Sequence, residues 1–312
     1  MKEMSNTGGI KATSETAENK AVENRTEKAE LSQPFEHSNE IGFCNYEVGG
    51  YYSEIKSSDF DKTGKLSDAQ QSVEFYCANS IQRILNREGK YISEKSKERI
   101  TRGIDSIYAV PYYSDIGGTG CYKLHNNKSS VEVKAFSEEQ MERTTNHEIN
   151  HFMSCNKELI VPQNGGGHYV YKTVGLRESR YFTSKEGLKS DYETHGRGLN
   201  EGLTTLYSNR QLMEISSEKG LAAQREEIYK EQVELCGMLE KIVGETILKE
   251  AYYGGDVEGL KKEIDILGGD KAFENLRDSM DRTLTRDPVE RERAMKEVNK
   301  VLAKMFEEKR LN

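Results

Sequence analysis

The stretch SEEQMERTTNHEINHFMSC, residues 137–155, carries the strongest structural signal in the chain. Ser137 is of a residue type that caps helices, because its hydroxyl can accept a backbone N–H of the first turn. Gln140 follows three residues later, which is the spacing of a capping box. The sequence therefore predicts a helix that begins after Ser137 and ends near Cys155.

The same helix contains the pentapeptide HEINH, with His147 and His151 at its ends and Glu148 in second place. Helix positions four apart differ by only about 40° around the axis, so both imidazoles project from one face. That spacing lets two rings bind one zinc ion, and Glu148 can then reach a metal-bound water as general base. The alternative is a polar helix face whose two histidines make ordinary hydrogen bonds.

A catalytic zinc site needs a third protein ligand. The candidate is Glu201, within the segment GLNEGLTT at residues 198–205. Gly198 or Asn200 can cap a second helix there, so that Glu201 would lie in its first turn. The alternative is a solvated glutamate that the helix dipole favours at this position.

HEINH followed by NEGLTT resembles the gluzincin group of zinc metallopeptidases, in which a downstream helix supplies a glutamate ligand. The separation of the two motifs is closer to that of anthrax lethal factor-like enzymes than to that of thermolysin-like ones. The second motif is also similar to one found in a set of bacterial peptidases. The resemblance implies Zn2+ held by His147, His151 and Glu201, and peptide-bond hydrolysis with Glu148 as general base. It covers these two short motifs and not the rest of the chain.

This sequence departs from the resembled pattern at one position and leaves one role open. Thermolysin-like members carry an acidic residue four positions after the glutamate ligand, where it supports a metal histidine, whereas this chain has Thr205. A threonine supplies no charge, so either the zinc affinity is lower or another residue takes this part. Lethal factor-like enzymes steady the oxyanion with a tyrosine shortly before the ligand, and Tyr192 and His195 are the candidates here.

Composition limits the classes of function and the compartment. The net charge of -8 argues against a sequence-independent nucleic-acid binder. No stretch approaches the roughly 18 apolar residues that span a bilayer, so we predict no transmembrane segment. The five cysteines form no CxxC pair, which argues against a disulfide framework. Because the N-terminus also lacks the apolar core of a Sec signal peptide, we predict a cytoplasmic protein, with export by a non-Sec route as the alternative.

The chain divides into three regions by composition. Residues 1–40 are rich in Ser, Thr, Asn, Glu and Lys and are predicted to be a disordered polar tail. Residues 41–215 are predicted to form an α+β, zincin-like catalytic domain with a small mixed sheet over the motif helix. Residues 216–312 are predicted to be a mainly helical C-terminal lobe. The alternative is that the chain forms one continuous domain.

Apolar periodicity predicts the remaining elements. The predicted helices are residues 67–88, 93–104, 199–215 and 228–251, and the strands are 107–113, 168–174 and a hairpin of 121–124 with 131–136. Separately, DFDKTGKLS at residues 59–67 resembles the start of an EF-hand calcium loop. Gln70 stands where a bidentate glutamate would complete that loop, so a glycine turn before a helix is the competing interpretation.

The sequence as a whole predicts a zinc-dependent peptidase that acts on a peptide or protein substrate. The competing hypothesis is a non-catalytic zincin-like fold used for binding or as a scaffold, because a fold does not by itself imply an activity. A secreted effector protease, which shares the first mechanism, is the third.

Overall fold

A computed structural model of the chain describes residues 64–111, 114, 116, 118–135, 137–220, 226 and 228–311. The predicted polar tail, residues 1–40, and residues 59–63 of the EF-hand-like stretch lie outside the described residues. Both of those predictions therefore stay predictions.

Among the described residues, helices and strands are interspersed up to residue 195, and helices alone follow. The helices are α1 (Gly64–Glu88), α2 (Glu94–Arg102), α3 (Glu138–Met153), α4 (Arg197–Glu218), α5 (Lys230–Val243), α6 (Glu245–Lys249), α7 (Val257–Gly268), α8 (Ala272–Arg282) and α9 (Pro288–Leu311). The strands are β1 (Ser106–Val110), β2 (Gly120–His125), β3 (Lys128–Lys134), β4 (Asn156–Pro162), β5 (His168–Val174), β6 (Arg177–Thr183) and β7 (Lys189–His195). The predicted α+β class is confirmed.

The first sheet is mixed and has the strand order β1-β3-β2. Strand β3 runs parallel to β1 and antiparallel to β2. The β2–β3 hairpin turns at Asn126 and Asn127, whose φ angles of 50° and 57° lie in the left-handed region. A tight two-residue turn of type I′ requires that conformation, and asparagine tolerates it. Because β2 and β3 pack against α3, a small mixed sheet does cover the motif helix.

The second sheet is an antiparallel meander in the order β4-β5-β6-β7. Strand β5 has the predicted bounds, and the polar region before Gly198 forms the β6–β7 hairpin. Strand β4 was not predicted. Its sequence NKELIVP alternates only between exposed and half-buried residues, so its pairing with β5 rather than its own pattern makes it a strand.

Both ends of α3 are fixed by side chains. The Ser137 hydroxyl accepts the Gln140 backbone N–H at 3.4 Å, as the capping prediction requires. At the other end, the Arg99 guanidinium of α2 donates to the carbonyls of Phe152 at 2.6 Å and Ser154 at 2.9 Å. Arg99 thus satisfies carbonyls that a helix C-terminus leaves without partners, and a cation there also favours the helix dipole.

The helix predicted over residues 228–251 is interrupted. Gly244, with φ of 99°, ends α5, and a π-helical turn at Glu250–Gly254 follows α6. Within this region Leu235, Leu239 and Ile242 are buried, whereas Ile228, Val233 and Ile247 are only partly buried. Helix α5 packs on α4, which in turn packs on α3.

The described residues belong to one compact unit. Among them, no helix is both long and apolar enough to cross a membrane. The predicted boundary near residue 216 stays a prediction.

Candidate metal centre

Three side chains from two helices converge at one point. His147 and His151 project from α3, and Glu201 projects from the first turns of α4. One potential ligand atom from each lies within 4.8 Å of the others. The Glu201 Oε2 atom is 3.4 Å from the Nε2 atom of each imidazole. All three residues are buried, so this is an interior cluster and not a polar helix face in water.

Close packing around the first turn of α4 sets the direction of Glu201. Asp281 of α8 accepts the backbone N–H groups of Gly196 at 2.8 Å and Gly198 at 2.7 Å, and so caps α4 from outside the helix. A Cβ atom at Gly202 would stand 2.6 Å from the Cys236 sulfur, so glycine lets α5 approach beside Glu201. The Asn-Glu-Gly segment is thus held by α8 on one side and by α5 on the other.

His147 is oriented by a carboxylate that sequence reasoning missed. Its Nδ1 atom lies 2.9 Å from Oε2 of Glu226, which belongs to the connection between α4 and α5. Asn209 holds the Glu226 backbone by two hydrogen bonds, at 2.6 Å and 3.2 Å, and the Ser208 hydroxyl donates to Oε1 at 3.3 Å. A carboxylate on the second nitrogen fixes the ring and raises its basicity as a ligand.

Thr205, the position at which the resemblance places an acid, does not take this part. Its hydroxyl is buried and has no hydrogen-bond partner within the described residues. The sequence offered no signal for Glu226, because that residue lies in a connection without a motif and meets His147 across 79 positions of chain.

The second ring nitrogen of His151, Nδ1, has uncharged partners instead of a carboxylate. Its Nδ1 atom lies 3.4 Å from the Thr204 hydroxyl and 3.4 Å from Nδ2 of Asn200. The Thr204 hydroxyl donates to the Asn200 carbonyl at 2.8 Å and also meets the Tyr252 hydroxyl at 2.8 Å. The Thr204 oxygen can accept an N–H from His151 Nδ1, and this tautomer leaves Nε2 free to bind a metal. The Asn200 amide nitrogen is a donor, so it hydrogen-bonds only the other tautomer, in which Nδ1 carries no proton.

The electrostatics of the cluster suit a cation. Burial lowers the pKa of His147, but the carboxylates of Glu226 and Glu201 outweigh burial and raise that pKa well above its ordinary value. Burial raises the pKa of Glu201, but the two imidazoles outweigh burial and hold it well below its ordinary value. The cluster therefore attracts positive charge, which protons supply in part and which a divalent ion supplies when it displaces them.

The side chain of Glu148 lies on the side of the motif helix that faces strand β2 of the mixed sheet. Burial raises the pKa of its carboxyl, and the charges of His147 and His151 oppose that rise. A Cβ atom at Gly120, the first residue of β2, would stand 2.9 Å from Oε1 of Glu148 and 2.5 Å from Thr144. Glycine at this position thus lets the strand pass directly over the carboxylate.

Strand β2 lies at the edge of the mixed sheet, and the backbone N–H and C=O of its first residue, Gly120, point away from β3. The Lys134 N–H donates to the Thr119 carbonyl at 2.8 Å, so alternate residues from 119 onward face β3. Leu124, which falls in the other set, has its carbonyl bound by the Lys172 ammonium at 2.6 Å. Gly120 belongs to the same outward set, so its N–H and C=O point away from β3, and within the described residues no other strand pairs with this edge of β2.

The structure brings His147, Glu148, His151 and Glu201 together but places Tyr192 and His195 elsewhere. Both lie on β7 with about half of the side chain exposed. Tyr192 stacks on Tyr181, and His195 Nδ1 lies 3.8 Å from Asp278. Neither contacts a residue of the three-ligand cluster among the described contacts, and their predicted oxyanion role stays a prediction.

No model of a known protein family matches this chain, and comparisons with curated proteins and with solved structures find no significant match. The geometry of the site and the two motifs are therefore the features that indicate a function for this chain.

Proposed function

We propose that this protein is a zinc-dependent peptidase with a zincin-like catalytic site. The single observation that carries the proposal is the buried convergence of His147, His151 and Glu201 from two helices. Two imidazole nitrogens and one carboxylate oxygen are a donor set that catalytic zinc sites use, and three protein ligands leave a fourth position for the reaction. The gluzincin resemblance of the two motifs agrees with this set.

The surroundings of the cluster also fit a zinc ion. Glu226 at 2.9 Å from His147 Nδ1 and the Thr204 hydroxyl near His151 Nδ1 leave the Nε2 atoms of both rings directed at Glu201. Ligating histidines characteristically have such partners on the second nitrogen, because the partner fixes the tautomer and the ring orientation.

The proposed mechanism assigns separate tasks to the residues around the ion. Zinc, when bound, would acidify water and polarise a peptide carbonyl. Glu148 accepts a proton from water at its carboxylate and later gives it to the leaving amine. Its raised pKa suits both halves of that task, since a general acid–base group works best with a pKa near the operating pH.

The open edge at Gly120 is the proposed binding place for an extended peptide. Main-chain hydrogen bonds to an edge strand bind a peptide without regard to its side chains. Gly120 lies over Glu148, so a peptide paired there would run past the proposed base. A peptide bound at this edge agrees with the zincin-like fold proposed for the site.

The test is metal analysis and turnover of three variants beside the parent protein. We expect about one zinc per chain in the parent and in Glu148→Gln, and a loss of zinc in His147→Ala. On a peptide library, Glu148→Gln should lower kcat/KM by roughly 1,000-fold, the usual size of a general-base contribution. Glu139→Gln is the matched control, because Glu139 is an exposed glutamate on the same helix and should change neither quantity.

Parent protein without zinc would refute the proposal. Zinc without turnover on any peptide would instead support the competing hypothesis, a non-catalytic zincin-like protein used for binding or as a scaffold. The predicted cytoplasmic location, with non-Sec export as its alternative, stays a prediction.

A further inference from the structure

Tyr229, the residue just before α5, has an unusual backbone conformation. Its φ and ψ angles of 55° and 30° are those of a left-handed helix, and its side chain makes no capping hydrogen bond. Bulky residues adopt this conformation rarely, because their Cβ then lies too close to the backbone. Such strain persists where the surrounding contacts require it, and it concentrates at functional sites.

Contacts on both sides of Tyr229 hold it beside the metal centre. Three residues earlier in the chain, Glu226 binds His147 Nδ1 at 2.9 Å. Three residues later, the Gln232 carbonyl is so close to α4 that a Cβ at Gly202, next to Glu201, would stand 2.8 Å from it. Glu226 and Gln232, on either side of Tyr229 in the chain, thus both lie close to the metal ligands or to the helices that carry them.

The Tyr229 ring itself faces a ligand. Its centroid is 6.4 Å from that of the His147 imidazole, and the two planes lie within 25° of each other. Tyr229 is also only partly buried, so a substrate can meet it.

Four other tyrosines are less suited to contact a substrate at this centre. Tyr207, Tyr252 and Tyr253 are 2% exposed or less, and their rings contact one another in a buried cluster. Tyr192 is exposed, but it stacks on Tyr181 of the second sheet. A partly exposed phenol whose ring faces a metal ligand is what distinguishes Tyr229.

We infer that the Tyr229 hydroxyl donates a hydrogen bond to the oxyanion that develops on a peptide carbonyl at the metal centre. The inference rests on the proposed function and assigns to Tyr229 the role for which the sequence suggested Tyr192 or His195. The reaction needs such a donor because negative charge on the carbonyl oxygen is greater in the transition state than in the bound substrate.

The test compares Tyr229→Phe with Tyr192→Phe and His195→Gln. Tyr229→Phe removes only the hydroxyl and should lower kcat by roughly 100-fold, with a small change in KM and no change in zinc content. Tyr171→Phe, at a tyrosine of β5 that is 40% exposed and outside the site, is the control and should keep the parental kcat. An active parent whose Tyr229→Phe variant retains its kcat would overturn the inference, and a loss confined to Tyr192→Phe or His195→Gln would return the role to β7.

A second measurement does not depend on turnover. Acetohydroxamate binds a metal ion through two oxygens that can accept a hydrogen bond, and its binding to the cobalt-substituted protein can be followed by visible absorption. Tyr229→Phe should weaken this binding about tenfold, because a hydrogen bond to a charged acceptor contributes that much or more. Equal affinity in parent and variant would refute the donor role. A parent that binds cobalt and acetohydroxamate but cleaves no peptide would refute only the proposed function.

Discussion

The two metal histidines are held by unlike partners, a carboxylate at His147 and uncharged groups at His151. The carboxylate of Glu226 stabilises positive charge on its imidazole, so His147 should be the more basic and more firmly oriented ligand. Glu226 is itself fixed by Ser208 and Asn209, so its geometry is prepared before a metal arrives. Most of the orientation at this centre should therefore come from the connection between α4 and α5.

Replacing Glu226 tests whether its carboxylate orients His147 for metal binding. Glu226→Gln keeps the shape of the side chain but removes its charge, and it should weaken zinc affinity by about 10- to 100-fold, the usual effect of losing such a partner. Competition with a chelator of known affinity measures this quantity. Thr205→Val is the matched control, because the Thr205 hydroxyl has no partner among the described residues. Equal losses in both variants would contradict the assignment.

At the scale of elements, the site depends on how closely β2, α3 and α4 approach one another. The sequence predicted α3 because its cap and its HExxH spacing are local signals. It did not predict β4 or the break at Gly244, since pairing with β5 makes the first a strand and a long amphipathic pattern conceals the second. Glu226 was missed for the same reason, because its partner is distant in the chain.

A substitution at Gly120 tests whether the site needs strand β2 to lie this close to the motif helix. In Gly120→Ala the new Cβ would stand 2.5 Å from Thr144 and 2.9 Å from Glu148 Oε1, so the strand or the carboxylate must move. A displacement of about 1 Å at a catalytic group costs roughly 100-fold in rate, and we expect that loss in kcat/KM with zinc content unchanged. Gly118→Ala should retain parental activity, because its Cβ would make only an ordinary 3.5 Å contact. Full activity in Gly120→Ala would show that Glu148 does not need this close approach.

At the scale of the molecule, the C-terminal helices support the motif helix instead of standing apart from it. Tyr252 and Tyr253 of the π-helical turn both reach Asn150, the fourth residue of HEINH, through hydrogen bonds of 3.3 Å and 3.1 Å. In the next helix back, Lys249 forms an ion pair with Glu88 at 2.7 Å, which ties the end of α1 to α6. The N-terminal and C-terminal parts of the described chain are thus joined through buried polar contacts around the motif helix.

Breaking the Glu88–Lys249 ion pair measures how much this contact between α1 and α6 contributes to stability. Glu88 is 1% exposed and Lys249 4%. Glu88 also pairs with Arg87 at 2.9 Å, and Lys249 with Glu245 at 2.6 Å, so removing Lys249 leaves the buried carboxylate with one counter-ion instead of two. Lys249→Met should lower the free energy of unfolding by about 2 kcal/mol in urea titrations, less than a fully broken buried pair, because Arg87 remains beside Glu88.

The double variant Glu88→Leu/Lys249→Met should recover most of that loss, because it also removes the buried carboxylate that has lost a partner. Lys296→Met, which breaks an exposed pair with Glu292, should change stability little. If the double variant were no more stable than Lys249→Met, the loss would come from packing around Lys249 and not from the charge left on Glu88.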